Sequence, residues 1–195
     1  WLGMENNINA IAGAAISALI TYQLLPTLQD GILGTPDAAD RVPGSYTPSS
    51  VVADGITNAA DRITSHENEY QVAKNASLTA IASTIANLGS LETCTAPAEN
   101  HDAEIATLEQ KQGDIQATIS ESQGYISSAG GLRSQAESAA ASGDTTALLD
   151  IADQLADLSS QSDRHDVAAA ESQRTTLEAR ATSVRADLTT KCPSV

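Results

Sequence analysis

The chain has 195 residues, which is enough for one domain or for a small domain with an anchor. It contains no Phe and one Trp, and its apolar residues are mostly Ala, Ile, Leu and Val, a composition that favours narrow contacts between helices over a globular α/β interior. A net charge of −15, from 25 acidic and 10 basic side chains, argues against nucleic acid as a partner, because such a surface repels phosphate.

The first predicted element is a hydrophobic N-terminal helix over residues 1–29. Residues 6–29 carry no charge, and the apolar part from Ile8 to Leu25 approaches the roughly 20 residues that cross a bilayer. It contains small residues that allow helices to approach closely, among them Ala10, Gly13, Ala14 and Ser17. We therefore expect residues 1–29 to contact the membrane before assembly and then to pack against copies of themselves or against a partner.

Residues 30–49 are predicted to be a linker, because helix breakers recur there at Gly31, Gly34, Pro36, Pro43, Gly44 and Pro48.

Thr47 followed by Pro48 is typical of a helix start. From residue 50 to residue 91, apolar side chains recur at steps of three and four, which predicts one long helix that ends near Gly89 and Pro97.

Two further helices, residues 97–142 and 144–191, are predicted to form an antiparallel hairpin. The first has an apolar seam from Ile105 to Ala129, weakened by glycines. Gly143 and Asp144 suit a turn and a helix cap. The polar stretch 159–166 interrupts the second helix and is expected to be loose or to face a neighbour.

Together these elements predict an all-α fold in which residues 50–195 form an exported helical domain. The helix 50–91 has an apolar stripe of its own, so we expect it to pack on the hairpin as a three-helix bundle or coiled coil. No alternating strand pattern follows Ser50.

Cys94 and Cys192 are the only cysteines, and Gly143 lies midway between them in the sequence. An antiparallel hairpin about Gly143 would bring both to its open end, where a disulfide is geometrically possible. A disulfide implies an oxidising compartment, hence an extracellular or cell-surface location reached through the membrane. The alternative is two free buried thiols, and a metal site is disfavoured because no second cysteine lies near either one.

Residue patterns of catalysis are missing from the sequence. His66, His101 and His165 are scattered. His66 lies at a seam position, so we interpret it as a core or neighbour-facing side chain rather than a metal ligand. Acidic pairs such as Glu67 and Glu69 arise by chance in so acidic a chain. No phosphate loop or nucleophile motif occurs. We predict no enzymatic activity, no metal, no cofactor and no small-molecule substrate.

Glu5 precedes the apolar helix, far in sequence from the first basic side chain, Arg41. A carboxylate packed among apolar helices is costly unless it is paired. The nearest cation is the α-amino group of Trp1, of the same or of an adjacent subunit. Alternatively, Glu5 lies in water or among headgroups, where the helix dipole favours it.

Residues 1–30 resemble the N-terminus of type IV pilins. The matching features are a processed first residue that is not Met (Trp1), the small or apolar residues that follow it, Glu5, and an apolar helix with Gly13 and a later Pro26. An aromatic first residue is usual in that family, and Trp occurs in its type IVb, conjugative branch.

The resemblance implies that a peptidase removes a basic leader, that the helix forms the core of a filament, and that Glu5 neutralises a neighbouring Trp1 amine. Pilin heads usually carry an antiparallel sheet, so the helical head predicted here is a departure from the family.

Our leading hypothesis is that the chain is a structural subunit of an extracellular pilus-like filament and that its partner is another copy of itself. Subunit contacts are expected from Trp1, Glu5, Ala10, Gly13, Ala14 and Ser17. The alternative is a membrane-anchored or virion structural protein whose helical stalk binds a partner or fuses membranes.

Overall fold

The described residues of this protein, 48–95 and 98–193 of a computed structural model, are almost entirely helical. They form four helices and no strand: α1 (Pro48–Cys94), α2 (Asp102–Ser142), α3 (Thr145–Ser162) and α4 (Val167–Lys191). The all-α prediction is therefore confirmed. The predicted N-terminal helix 1–29 and all of the predicted linker before Pro48 lie outside the described residues.

α1 begins at Pro48, the position that the Thr47-Pro48 pair indicates. Proline suits the first turn of a helix, where its missing N–H is not needed. The helix continues past Gly89 to Cys94, so Gly89 does not end it. One glycine costs a helix about 1 kcal/mol relative to alanine, which the packing of Leu88 and Leu91 on either side readily offsets.

The turn at Gly143 is confirmed. Gly143 has a φ of 70°, in the left-handed region that glycine enters without steric cost. Asp144 then caps α3, because its side chain accepts a hydrogen bond of 3.0 Å from the Ala147 amide.

The second helix of the predicted hairpin, 144–191, is divided into two helices, and the break lies within the polar stretch 159–166 that was expected to be loose or to face a neighbour. The chain leaves helical geometry after Ser162 and starts α4 at Val167. Asp166 is the physical reason for the restart, since its carboxylate accepts a hydrogen bond of 2.9 Å from the Ala169 amide and thus caps a new helix. Residues 163–166 connect α3 to α4.

The first of two compact units consists, among the described residues, of 48–64 and 125–163. Its core joins α1, α2 and α3 through buried aliphatic side chains, and the partly buried Tyr125 packs against it. The buried side chains are Val52, Ala53, Ile56, Ala59, Ala60 and Ile63 from α1, Ala129, Leu132, Ala136 and Ala139 from α2, and Leu148, Ile151, Leu155 and Leu158 from α3. α1 therefore packs on the hairpin of α2 and α3, as its apolar stripe predicted.

The second unit consists of residues 65–124 and 164–193 among those described, and it joins α1, α2 and α4. Its larger core contains Ala80, Ile81, Leu88 and Leu91 from α1, Leu108 and Ile115 from α2, Leu177 and Val184 from α4, and Cys192. A smaller cluster of Tyr70, Ala73 and Ala170 lies beside Val167. Each unit is thus a three-helix arrangement with a narrow core.

Several glycines lie within the exposed side of α2 without a packing reason among the described residues. A Cβ added at Gly113, Gly124 or Gly131 meets no atom within 4 Å. These positions are helical and open, so glycine has no packing advantage there. It loses more backbone entropy on folding than alanine would.

We predict that Gly113→Ala and Gly131→Ala each raise the free energy of unfolding, by up to about 1 kcal/mol, in urea titrations followed by circular dichroism. Gly143→Ala is the matched control and should lower it by about 1 kcal/mol, since alanine is strained at positive φ. Destabilisation by the two helical substitutions would show that this side of α2 is covered in the native protein.

Candidate functional site

The residues predicted to make subunit contacts all lie outside the described part of the chain. They are Trp1, Glu5, Ala10, Gly13, Ala14 and Ser17, and their roles stay predictions. Within residues 48–95 and 98–193, no helix combines the length and the apolar character needed to span a bilayer.

The predicted disulfide between Cys94 and Cys192 is confirmed. Its two Cα atoms are 5.9 Å apart, across 98 residues of sequence, and the bond joins the last residue of α1 to the residue that follows α4. Cys192 is buried in the same core as Leu88 and Leu91. The bond therefore closes the second unit at the end where both helices finish.

Ion pairs surround this closed end. Arg180 donates two hydrogen bonds, of 2.7 and 2.8 Å, to the two carboxylate oxygens of Glu104, a geometry that fixes α4 against the start of α2. These bonds lower the pKa of the Glu104 carboxyl. Lys191 Nζ contacts Glu99 at 2.6 Å and likewise lowers the pKa of that carboxyl. Both pairs are solvent-exposed to a large degree, so they orient the chain more than they stabilise it.

The most unusual side chain of the second unit is Glu67, whose relative exposure is 0%. Its Oε2 lies 2.8 Å from Nδ1 of His165, which is itself only 7% exposed. The other ring nitrogen of His165, Nε2, lies 3.7 Å from Oε2 of Glu121. Both ring nitrogens thus face carboxylates, an arrangement that a doubly protonated imidazole can satisfy from both sides.

Backbone and neutral polar groups complete this cluster. His66 Nε2 donates a hydrogen bond of 2.9 Å to the main-chain carbonyl of His165, since a carbonyl oxygen can only accept. Ser122 donates to the carbonyl of Glu67 at 3.4 Å and accepts from the Gln71 amide at 2.9 Å. The connection between α3 and α4 is therefore tied to α1 by a side chain and by its own backbone.

Tyr70 forms the apolar wall of the cluster. Its ring stacks on that of His165 with centroids 4.3 Å apart and planes 3° from parallel. Burial raises the pKa of the Tyr70 phenol, a hydrogen bond with Thr118 lowers it, and the nearby Glu67 and Glu121 carboxylates raise it further. Lys74 Nζ lies 5.1 Å from the centre of the Tyr70 ring, and burial lowers the pKa of its amine.

Chemically, this cluster is suited to holding a loop in place. A buried carboxylate that loses a hydrogen-bond partner costs at least about 1–3 kcal/mol, so the Glu67–His165 contact is hard to break one partner at a time. Both cysteines are in the disulfide. No group of three or more His, Cys, Asp or Glu side chains among the described residues is arranged to hold a metal ion.

Our interpretation of the histidines missed this cluster. His66 and His165 are 99 positions apart in sequence, yet the structure brings them together. The available signal was Asp166, an N-cap residue ahead of the helix-favouring run Val167–Ala170, in the middle of what the apolar pattern predicted to be one helix. A break there would have marked residues 163–166 as a turn that can aim a side chain inward.

No protein-family model, no curated protein and no solved structure matches this chain. Proposals about its function therefore depend on its own residues.

We predict that removing the disulfide by Cys94→Ala with Cys192→Ala lowers the free energy of unfolding by about 4 kcal/mol, because a 98-residue closed loop restricts the unfolded chain. Urea titration of the full chain in detergent measures the loss. Reduction of the native protein should reproduce the variant, and a reductant should leave the variant unchanged. Equal stability of native protein and variant would contradict the prediction.

We also predict an alkaline effect of Tyr70. Its raised pKa means that the phenol stabilises the fold fully below about pH 10, the value for an unfolded tyrosine, and that this contribution is lost as pH rises through the folded-state pKa. The lowered pKa of Lys74 acts in the opposite sense and at lower pH, since between its folded-state pKa and the unfolded value of 10.5 the unfolded amine binds more protons and stability rises with pH.

Two variants separate the effect of Tyr70 on the pH dependence of stability from that of Lys74. Between about pH 8 and pH 11, the stability of Tyr70→Phe should fall less steeply than that of the native protein, whereas that of Lys74→Met should fall more steeply. Urea midpoints across this range measure both slopes. If the urea midpoints of all three proteins fall equally with pH, these effects of Tyr70 and Lys74 are refuted.

Proposed function

We propose that this chain is the structural subunit of an extracellular pilus-like filament, polymerising through residues 1–29 and exposing its helical residues. The observation that carries the proposal is the order of its parts. A pilin-like start, Trp1 to Glu5, precedes an uncharged helix-forming segment, and a helical region closed by a disulfide follows it.

The described residues support a structural role. The disulfide suits an oxidising exterior, where no reducing pool removes it. The two larger cores consist mainly of Ala, Ile, Leu and Val, and a buried contact between Glu67 and His165 ties a connecting segment to a helix. We propose on the same grounds that the protein is not an enzyme and needs no cofactor.

Charge pairing would set the register of such a filament. Glu5 stands next to a segment without any charge, so a tightly packed bundle of these segments must compensate its carboxylate. The Trp1 amine of an adjacent subunit, displaced slightly along the axis, is the proposed partner. Ala10, Gly13, Ala14 and Ser17 would then let neighbouring helices approach closely.

Electron microscopy tests the proposal directly. Cells that produce the full chain are sheared, and the released material is examined by negative stain, with the chain identified in it by mass spectrometry. We expect long uniform filaments that contain the chain. Isolated particles or membrane patches would contradict the filament and support instead an anchored protein whose helices bind a partner.

A matched pair of variants tests the role of Glu5. We predict that Glu5→Gln reduces filament yield by about tenfold or more, because the amine of the neighbour loses its counter-charge in an apolar contact. Glu109→Gln, an exposed acid on α2, should leave the yield unchanged. Circular dichroism and a non-reducing gel check that both variants keep their helices and their disulfide. Normal filaments from Glu5→Gln would contradict the pairing.

A further inference from the structure

The sequence contains one acceptor pattern for an N-linked sugar, which the proposed filament does not use. In Asn75-Ala76-Ser77 an asparagine is followed by a residue other than proline and then by a hydroxyl side chain, and no other asparagine of the chain has Ser or Thr at that spacing. We propose that Asn75 carries an N-linked glycan, attached to the extended chain before α1 folds. The inference rests on the proposed export of the helical residues and is independent of polymerisation.

The folded protein has room for a glycan at Asn75. This side chain is exposed on α1 and forms no hydrogen bond with the residues that the structure describes. Residues 75–91 carry no charge in a chain whose net charge is −15, so a sugar here disturbs no ion pair of this stretch. One turn earlier, the apolar Val72 is 63% exposed. Side chains three positions apart are neighbours on a helix, so a sugar on Asn75 has this open apolar surface within reach.

The folded helix does not present the acceptor pattern to an enzyme. Ser77 is 0% exposed, and its hydroxyl donates a hydrogen bond of 3.0 Å to the carbonyl of Ala73. Side chains two positions apart do not face each other on a helix, whereas they lie on the same side of an extended chain. A transferase that contacts Asn75 and the Ser77 hydroxyl together therefore needs this segment to be extended.

The order of the elements along the chain provides a time at which the segment is extended. The side chains that pack on this part of α1 belong to α2 and α4, which follow α1 in the sequence and are therefore made after it. Most of the stability of a helix in a protein comes from such packing. Attachment at Asn75 thus precedes the packing of α1, and it precedes the disulfide, which requires Cys192 near the end of the chain.

The reaction is a group transfer with one co-reactant, and a transferase of the exporting cell catalyses it. The donor is an oligosaccharide whose first sugar is linked through C1 to a lipid phosphate or pyrophosphate. The C1–O bond of the donor breaks, and a bond forms between C1 and Nδ2 of Asn75. The Asn75 amide loses one proton, and the lipid phosphate leaves with the electron pair of the broken bond. Nothing is oxidised or reduced.

Mass spectrometry of the protein from the cells that naturally produce it tests the site. Cleavage after glutamate releases residues 70–92, and we expect this peptide to carry a sugar that fragment spectra place on Asn75 and not on a Ser or Thr. Asn75→Gln and Ser77→Ala should both lose the sugar completely, the second because it removes the acceptor hydroxyl and keeps Asn75. Asn87→Gln is the matched control on the same helix, with glycine two positions later, and should keep it.

An unmodified native peptide, or a sugar retained in Ser77→Ala, would overturn the site, and the native peptide decides even where a variant does not fold. The result is separable from the filament. Filaments without a sugar contradict the glycan alone, whereas a sugar without filaments contradicts polymerisation alone.

Membranes of the same cells, which contain the transferase and the lipid-linked donor, test the order of events. The full chain is made in cells without N-glycosylation and is added to these membranes either folded or freshly diluted from urea and reductant. We expect the unfolded form to be modified about tenfold or more faster, because the folded form exposes Ser77 only by local unfolding. Equal rates would overturn the order. Modification of neither form, by membranes that do modify a known acceptor peptide, would overturn the site.

Discussion

A carboxylate without access to water is the constraint around which the second unit is arranged. Glu67 occupies a position on α1 that the helical repeat turns inward, on the same buried face as Ile63 and Tyr70. An isolated charge there would cost more than the surrounding core contributes, so a partner has to be delivered to it. The interruption between α3 and α4 provides that partner, since a continuous helix would not present His165 and its carbonyl to α1 in this way. Asp166, which restarts the helix, and Tyr70, which covers the imidazole, follow from the same requirement.

The two units solve the problem of a thin core differently. Without phenylalanine, the larger core of each unit is built mainly from Ala, Val, Ile and Leu, and the apolar area per residue is modest. The first unit relies on a regular apolar stripe, to which α3 contributes Leu148, Ile151, Leu155 and Leu158. The second unit adds specific bonds: a disulfide at the end of α1, the paired Arg180 and Glu104, and the buried acid with its histidine. Polar contacts of this kind select one arrangement among helices whose surfaces are otherwise alike.

The prediction from sequence succeeded where one local rule decided the outcome. Apolar steps of three and four located the helices, Thr47-Pro48 located the start of α1, and the position of Gly143 midway between the cysteines pointed to their pairing. It failed where local and distant requirements compete. Residues 159–166 were expected to be loose or to face a neighbour, but the apolar pattern did not predict that the helix stops at Ser162 or that His165 turns inward to Glu67. The proposed assembly residues, Trp1 to Ser17, depend on contacts between subunits, which the pattern of one chain cannot specify in detail.

The disulfide has a topological consequence for the folded chain. Together with the backbone between Cys94 and Cys192, it forms a covalent ring that contains α2, α3 and α4. A single proteolytic cut anywhere in that ring opens it into a branched molecule but detaches no fragment. Loss of material from this half of the protein therefore requires two cuts, or one cut and a reductant, and a molecule nicked once keeps its full mass and all of its packed helices in reach of one another.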